Sequence, residues 1–209
     1  MNRTFPINLP LAARKCLVVG GGRVARRKVA SLLECGAHVT VVSPEFCDEL
    51  AALDGVRRVQ RPFDDADAAD TTLVFAATSD PEVNRRVADA AHRHGALVNV
   101  VDTPAECDFI VPSVLARGDL TIAVCSGGSA PALSKRVRRE LEDQFPAHFA
   151  DFVALLADLR TTVMSRVPDI ATRKAIFHKL ADVATWNTFE QAGPDPVREL
   201  ANQLVEEGA

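Results

Sequence analysis

Tyrosine is absent from the 209 residues, tryptophan occurs once and methionine twice. The missing tyrosine excludes the tyrosine-lysine proton chemistry of short-chain dehydrogenases. No apolar run approaches the roughly 18–20 residues that a membrane-spanning helix needs. The opening stretch, MNRTFPINLPLAARK, lacks the apolar core of a signal peptide. Five cysteines (16, 35, 47, 107 and 125) are odd in number and include no C-x-x-C pair. That usage predicts reduced, mostly buried thiols in a cytoplasmic protein, without disulfides or a zinc site. A net charge of −4 with a pI near 5.7 argues against general nucleic-acid binding. What remains is a soluble globular chain, 47% hydrophobic, long for one domain and short for two large ones.

The informative stretch is 15–36, KCLVVGGGRVARRKVASLLECG. It reads as a short apolar strand (Cys16–Val19), a glycine turn and an amphipathic helix with Val24, Ala25, Val29, Leu32 and Leu33 on its apolar face. Gly36 stands where a C-terminal cap belongs. Gly20, Gly22 and Ala25 fit G-x-G-x-x-G/A. The first glycine permits the tight turn, the second lets backbone approach a pyrophosphate, and the small third residue packs helix on strand. A bare match is weak, but a strand before it and a helix after it are the confirming context. The candidate cofactor contacts are therefore Gly20, Gly21, Gly22, Arg23, Val24 and Ala25, at a helix N-terminus that favours phosphate.

A second buried strand, His38–Val42, ends at Ser43-Pro44. A ribose-binding acid is expected about 20 residues after the turn, yet the nearest is Glu45, beyond the proline. Ser43 is the other candidate for the adenosine ribose, and Arg23 raises NADP beside NAD. A short helix is expected over Glu45–Leu53, an edge strand over Arg57–Gln60 and a solvated acidic loop over Pro62–Asp70. Leu73–Ala77 is a further buried strand, followed by Thr78. Asp80 should cap the next helix, with Pro81 in its first position, running Glu82–His94 and stopping at Gly95. Leu97–Val101 is a strand ending at Asp102. This alternation predicts an α/β, doubly wound parallel sheet of the Rossmann kind, binding its ligand at the carboxyl ends of the strands. Gly20, Thr78, Val101 and Asp102 should share that rim. Residues 1–112 form this domain.

From Phe109 the pattern changes. Residues 109–113 (FIVPS) and Leu120–Val124 look β-like around a turn at 117–119, and Ser126-Gly127-Gly128-Ser129 feeds a basic helix with Ser129 as its expected cap. Lys135, Arg136, Arg138 and Arg139 follow. Backbone N–H groups at the helix start with nearby guanidinium groups suit an anion. The alternative is a solvated face paired with Glu140, Glu142 and Asp143. After this β/α segment (113–145), residues 146–209 show no strand signal. They predict helices to about Val167, over Thr172–Ala184, and from Val197.

Asp102 is the ionisable candidate: a carboxylate facing a cofactor can take a proton as hydride leaves a substrate, and a dry site would make it a stronger base. The alternative role is a cap for the turn 103–106. His92 and His94 do not share a helix face and are poor joint metal ligands. Cys107 and Cys125 have no base beside them in sequence and read as buried thiols.

Four separated motifs, VVGGGRVARRK, FAATSDPEVN, VNVVDTPAECDFIVPS and IAVCSGGSAPALSKRVRRELE, agree in order and spacing with one family. They closely resemble the siroheme-synthase N-terminal module, which comprises precorrin-2 dehydrogenases, some also sirohydrochlorin ferrochelatases. The resemblance implies a homodimer joined through 113–145. It also implies NAD-dependent oxidation of precorrin-2 to sirohydrochlorin on the route to siroheme. Under it, Gly20, Gly22 and Ala25 match the cofactor turn, and Thr78 a position beside the nicotinamide ribose. Asp102 matches the catalytic aspartate, and Ser126 a serine at the substrate and metal site of bifunctional members. Asn99 and Pro112 fall in motif segments that shape the rim. Asn99, Ser126, Gly127, Gly128 and Arg136 are the candidate substrate contacts, Asp102 and Ser126 the metal-handling pair should the protein also chelate. The methyltransferase domain of fused siroheme synthases is absent from these residues, which is expected of a stand-alone enzyme or an excised piece. The alternative function is a non-catalytic NAD(H)-sensing Rossmann module.

Overall fold

The computed structural model of the chain describes residues 4–208. It divides into two compact units, Met1–Val111 and Pro112–Ala209.

The first unit is a parallel five-stranded sheet of order β3-β2-β1-β4-β5. Its strands are β1 (Lys15–Val19), β2 (His38–Ser43), β3 (Val56–Gln60), β4 (Leu73–Ala76) and β5 (Leu97–Val100). Successive side chains of a strand face opposite sides, and here both sides are covered. Leu17 and Val19 join Val74, Ala76 and Val98 against Val87 and Ala91 of α3 (Pro81–Arg93). Cys16 and Val18 join Val41 and Phe75 against Ala25, Val29 and Leu32 of α1 (Arg23–Glu34). Burial on both faces explains why β4, LVFA, is apolar throughout and does not alternate. The chain runs β1 to β2 to β3, then returns to place β4 on the other side of β1, so the order reverses between β1 and β4. The α/β Rossmann expectation holds.

Several local expectations are corrected. The helix foreseen over Glu45–Leu53 is only α2 (Asp48–Ala51), because Cys47 N–H is drawn to Gly21 O at 2.8 Å. The acidic run is not a bare loop. Asp65–Ala68 form a 3₁₀ turn closed by reciprocal Asp64 and Asp67 side-chain bonds, and Arg61, Arg86 and Arg93 pair with Asp67 and Asp65. Val24 is on the exposed side of α1, not on its buried face. Residues 109–112 are not strand: Phe109 stacks edge-on against Phe75 at 5.4 Å, and Pro112 has no N–H for a ladder. Of the five thiols only Cys16 is buried; Cys35 and Cys125 are exposed, one at the end of α1 and the other in a loop. Asp80 does cap α3, accepting from Glu82 N at 2.9 Å, with Pro81 at the first position.

The second unit opens with the antiparallel hairpin β6 (Ser113–Arg117) and β7 (Leu120–Val124), followed by α4 (Pro131–Gln144). Arg117 Nε donates to Phe145 O and Pro146 O at 2.7 and 3.0 Å, fixing the hairpin to the end of α4. Four helices complete it: α5 (Phe149–Arg166), α6 (Ile170–Leu180), α7 (Val183–Ala192) and α8 (Pro194–Gly208). Leu155, Leu159, Val163, Ile176, Leu180 and Val197 lie in its core. The expected helix Thr172–Ala184 is two helices, since Asp182 caps α7 by accepting from Ala184 N at 2.9 Å. Half-buried Trp186 sits among Phe149, Phe152 and Phe189, with centroids 4.6–5.8 Å away. Among the described residues no helix is long and apolar enough to cross a membrane.

Candidate functional site

The ends of β1, β2, β4 and β5 enclose a cavity of about 820 Å³ in the first unit. Its floor is the glycine turn. Gly20 has φ +124°, and a Cβ there would lie 2.4 Å from Ala77 O. A Cβ on Gly21 would lie 1.7 Å from Glu45 O and 2.8 Å from Ser43 Oγ. These two positions are closed to any side chain by neighbouring backbone. Gly22 is the opposite case: nothing lies within 4 Å of its absent Cβ. It is the N-terminal cap of α1, has no side-chain partner, and the first helical turn holds no acidic residue. The first intrahelical bond is Arg26 N to Gly22 O, so the amides before it point out of the helix start unused. An open approach to free N–H groups at a positive helix end is what a pyrophosphate requires. Ala25 is fully buried against the sheet, the close helix contact expected of the third position.

The walls come from the other strand ends. Arg23, Val24, Ser43, Thr78, Val101 and Asp102 all line the cavity. Ser43 is 7% exposed and closes β2. Thr78 is held by a residue not foreseen from the sequence, Asn84, which is buried on α3. Asn84 Oδ1 accepts from Thr78 N at 3.1 Å and from Thr78 Oγ1 at 2.8 Å, while its Nδ2 donates to Thr78 O at 3.1 Å. The only hint was the final Asn of TSDPEVN. One turn inside the helix, it points back toward the N-terminus as helical side chains do.

Asp102 is exposed and has φ +60°, one of three non-glycine residues with positive φ among the described residues. That conformation costs about 1 kcal/mol for an L-residue, least for Asn and Asp. Its carboxylate makes no hydrogen bond among the described residues, and the 3₁₀ turn Pro104–Glu106 has no side-chain cap. The capping alternative is therefore set aside, and the dry setting foreseen for it is not provided by the first unit. Asn99 is not in the cavity wall. Its amide donates to Phe109 O at 2.9 Å and lies 3.6 Å from Cys107 Sγ. Lys28 is half-buried with Nζ over the Phe75 ring at 5.4 Å. Burial first, then Arg27, draws its ammonium below the usual lysine range.

In the second unit, Gly127 and Gly128 both have positive φ, and a Cβ on either would meet nothing. The cap of α4 is Ala130, not Ser129. Ser129 Oγ donates to Ser126 O at 2.6 Å, while Ser126 Oγ accepts from Ala130 N at 3.1 Å. Arg136 pairs with Glu140 at 3.1 Å, and Arg138 pairs with Glu142. Among the described residues no group of three or more His, Cys, Asp and Glu could hold a metal ion.

Residues 7–113, just over half of the chain, match the model of a family described as putative NAD(P)-binding. The chain belongs to that family. Residues 117–144 of this NAD(P)-binding chain match a second model, sirohaem biosynthesis protein central. The siroheme synthase of Thioalkalivibrio sulfidiphilus is 40% identical over 207 residues, covering 98% of the chain and 42% of the relative. That of Nitrosospira multiformis is 41% identical over 217 residues, covering 97% and 45%. The chain thus spans less than half the length of these curated relatives. A solved structure of SirC, precorrin-2 dehydrogenase, superposes with a TM-score of 0.79 at 23% identity, over 97% of this chain and 100% of that one. The structural likeness supports the fold, and the sequence matches bear out the resemblance of the four motifs to the siroheme-synthase module.

Proposed function

We propose that the chain oxidises precorrin-2 to sirohydrochlorin with NAD⁺, as a homodimer in the cytoplasm. The observation that carries this reading is the carboxylate of Asp102, unpartnered among the described residues, in a left-handed turn on the wall of the cavity above the glycine turn. A group held in an uncommon conformation at a cavity wall is what a pre-organised base looks like. The reaction removes two hydrogens from the substrate, one as hydride and one as proton. The nicotinamide, when bound, supplies the hydride acceptor. The chain's own residues do the rest. Free amides of α1 behind Gly20, Gly21 and Gly22 hold the pyrophosphate, with Arg23, Val24 and Ala25 in that first turn. Ser43 receives the adenosine ribose. Thr78, locked by Asn84, and Val101 bound the nicotinamide end. Asp102 takes the proton at its carboxylate.

Precorrin-2 is rich in carboxylates. The helix start at Ser126, Gly127 and Gly128 and the guanidinium of Arg136 suit such groups. The Arg136–Glu140 pair is exposed on both sides and is easily exchanged for a substrate carboxylate. Asn99 acts through the chain it holds. The dimer is built on 113–145, a reading supported by exposed Val114 and Leu133 on that segment. Residues 146–209 form the helical domain beside it. Iron insertion, for which Asp102 and Ser126 are the candidate residues and the ion a substrate, is a separate question.

Anaerobic incubation with precorrin-2 and NAD⁺, following NADH and tetrapyrrole absorbance together, tests the proposal; equal yields of NADH and sirohydrochlorin are expected. Asp102→Asn should lower kcat by about 10²-fold or more with nucleotide affinity kept. Nucleotide binding without turnover in the unaltered chain would sink the enzyme reading in favour of a sensor. Added ferrous iron then asks about chelation.

A further inference from the structure

Strand β5 ends the sheet, and among the described residues no strand neighbours its outer edge. In a parallel strand alternate residues turn their N–H and C=O to opposite sides. Leu97 N and Val101 N face β4, bonding Thr72 O and Ala76 O. Val98 and Val100 face outward, where unpaired groups would be expected. They are all paired, chiefly by two consecutive residues. Asp108 Oδ2 accepts from Val98 N at 2.8 Å, and Asp108 N donates to Val98 O at 2.9 Å. Cys107 Sγ accepts from Val100 N at 3.1 Å, and its one proton is shared between Val100 O at 3.2 Å and Thr103 O at 3.4 Å. Val100 O also accepts from Thr103 N at 3.4 Å. Asn99 Nδ2, bound to Phe109 O, holds the chain just beyond. His92 Nε2 lies 3.1 Å from Asp108 Oδ2 on its open side.

The segment from Val101 to Asp108 is therefore a loop with a closed base, and Asp102 is near its start. We propose that Cys107, aided by Asp108, is a positioning residue: the two side chains stand in for a sixth strand and so fix the turn that presents Asp102 to the cavity. This rests on the reading of Asp102 as the base. The thiol suits the post because it both donates and accepts on adjoining backbone groups. Burial pushes it above the ordinary cysteine range, which keeps the donating proton in place.

The test uses the full chain with Cys107→Ala, Asp102→Asn and the double variant. It reads amide hydrogen exchange at Val98 and Val100, NAD⁺ affinity and kcat with precorrin-2. Cys107→Ala should speed exchange at Val100 about tenfold or more, leave amides of β1 and β4 protected, and keep nucleotide affinity within about twofold. It should lower kcat by about tenfold to a hundredfold, since a displacement near 1 Å of a reacting group costs that order. In the Asp102→Asn background the same change should cost nothing further, because the two act as one unit. Losses that multiply in the double variant, or an unchanged kcat beside fast Val100 exchange, would overturn the positioning role. Full turnover by Asp102→Asn alone would instead remove the base assignment. Should Cys107→Ala fail to fold, Cys107→Ser keeps donor and acceptor on a shorter arm. It should show smaller losses in exchange protection and in kcat together; a change in one without the other overturns the proposal.

Discussion

At the end of β1 and at the end of β7 the chain does the same thing: a strand stops, consecutive glycines turn, and a helix starts without an acidic residue in its first turn. The two turns are nonetheless held by different forces. At Gly20 and Gly21 the constraint is external, since backbone of Ala77 and Glu45 occupies the space a side chain would need. At Gly127 and Gly128 the constraint is only the dihedral angle, because their surroundings are open. The first turn is walled by three other strand ends and leaves its helix amides free. The second is tied internally by Ser126 and Ser129. Glycine content is equal evidence for both sites; packing around the glycines separates a rigid cradle from an adaptable loop.

Substitutions can break that contrast. Gly21→Ala should act most strongly, because backbone cannot step aside as a flexible side chain can. A loss of about 3 kcal/mol in stability and of nucleotide binding is expected, read by thermal melting and by NAD⁺ titration. Asn84→Ala strips the partner from Thr78 N in a part-buried wall, and should cost about 1–3 kcal/mol with weaker nucleotide affinity. Gly127→Ala should cost only about 1–2 kcal/mol, from the left-handed angle alone, and leave nucleotide affinity untouched. A Gly127→Ala variant as damaging to NAD⁺ binding as Gly21→Ala would erase the distinction.

The first turn was legible in the sequence because everything that defines it is local. Apolar strand, glycines and helical spacing lie within 15–36, and Asp80-Pro81 announces α3 as plainly. What escaped was set by distant partners. Residues 109–112 carry the branched and aromatic composition of a strand, but Phe109 is claimed by Phe75, 34 positions earlier in the chain. Asn84 is a poor helix former by propensity; its use is a backbone turn six residues away, visible only once α3 is placed over β4. Ser129 was the expected cap by spacing, yet two left-handed glycines turn it back onto Ser126. The acidic run 64–70 looked solvated because the two arginines that hold Asp65, Arg86 and Arg93, are on α3; only Arg61, the partner of Asp67, is nearby in sequence. The rim residues Gly20, Ser43, Thr78 and Asp102 could be named in advance because strand ends follow from strand order. The pairing of Cys107 with Val100 could not, since it depends on which strand is last.

The setting of Trp186 has a use in following the molecule. It is the chain's one indole, with no tyrosine anywhere, and its ring is packed on Phe149, Phe152 and Phe189 of the second unit. Intrinsic indole emission therefore reports the melting of the helical bundle and is blind to the sheet that carries the glycine cradle. Loss of that sheet is instead followed through release of bound dinucleotide, so two optical signals resolve whether the halves of this chain unfold together or in turn.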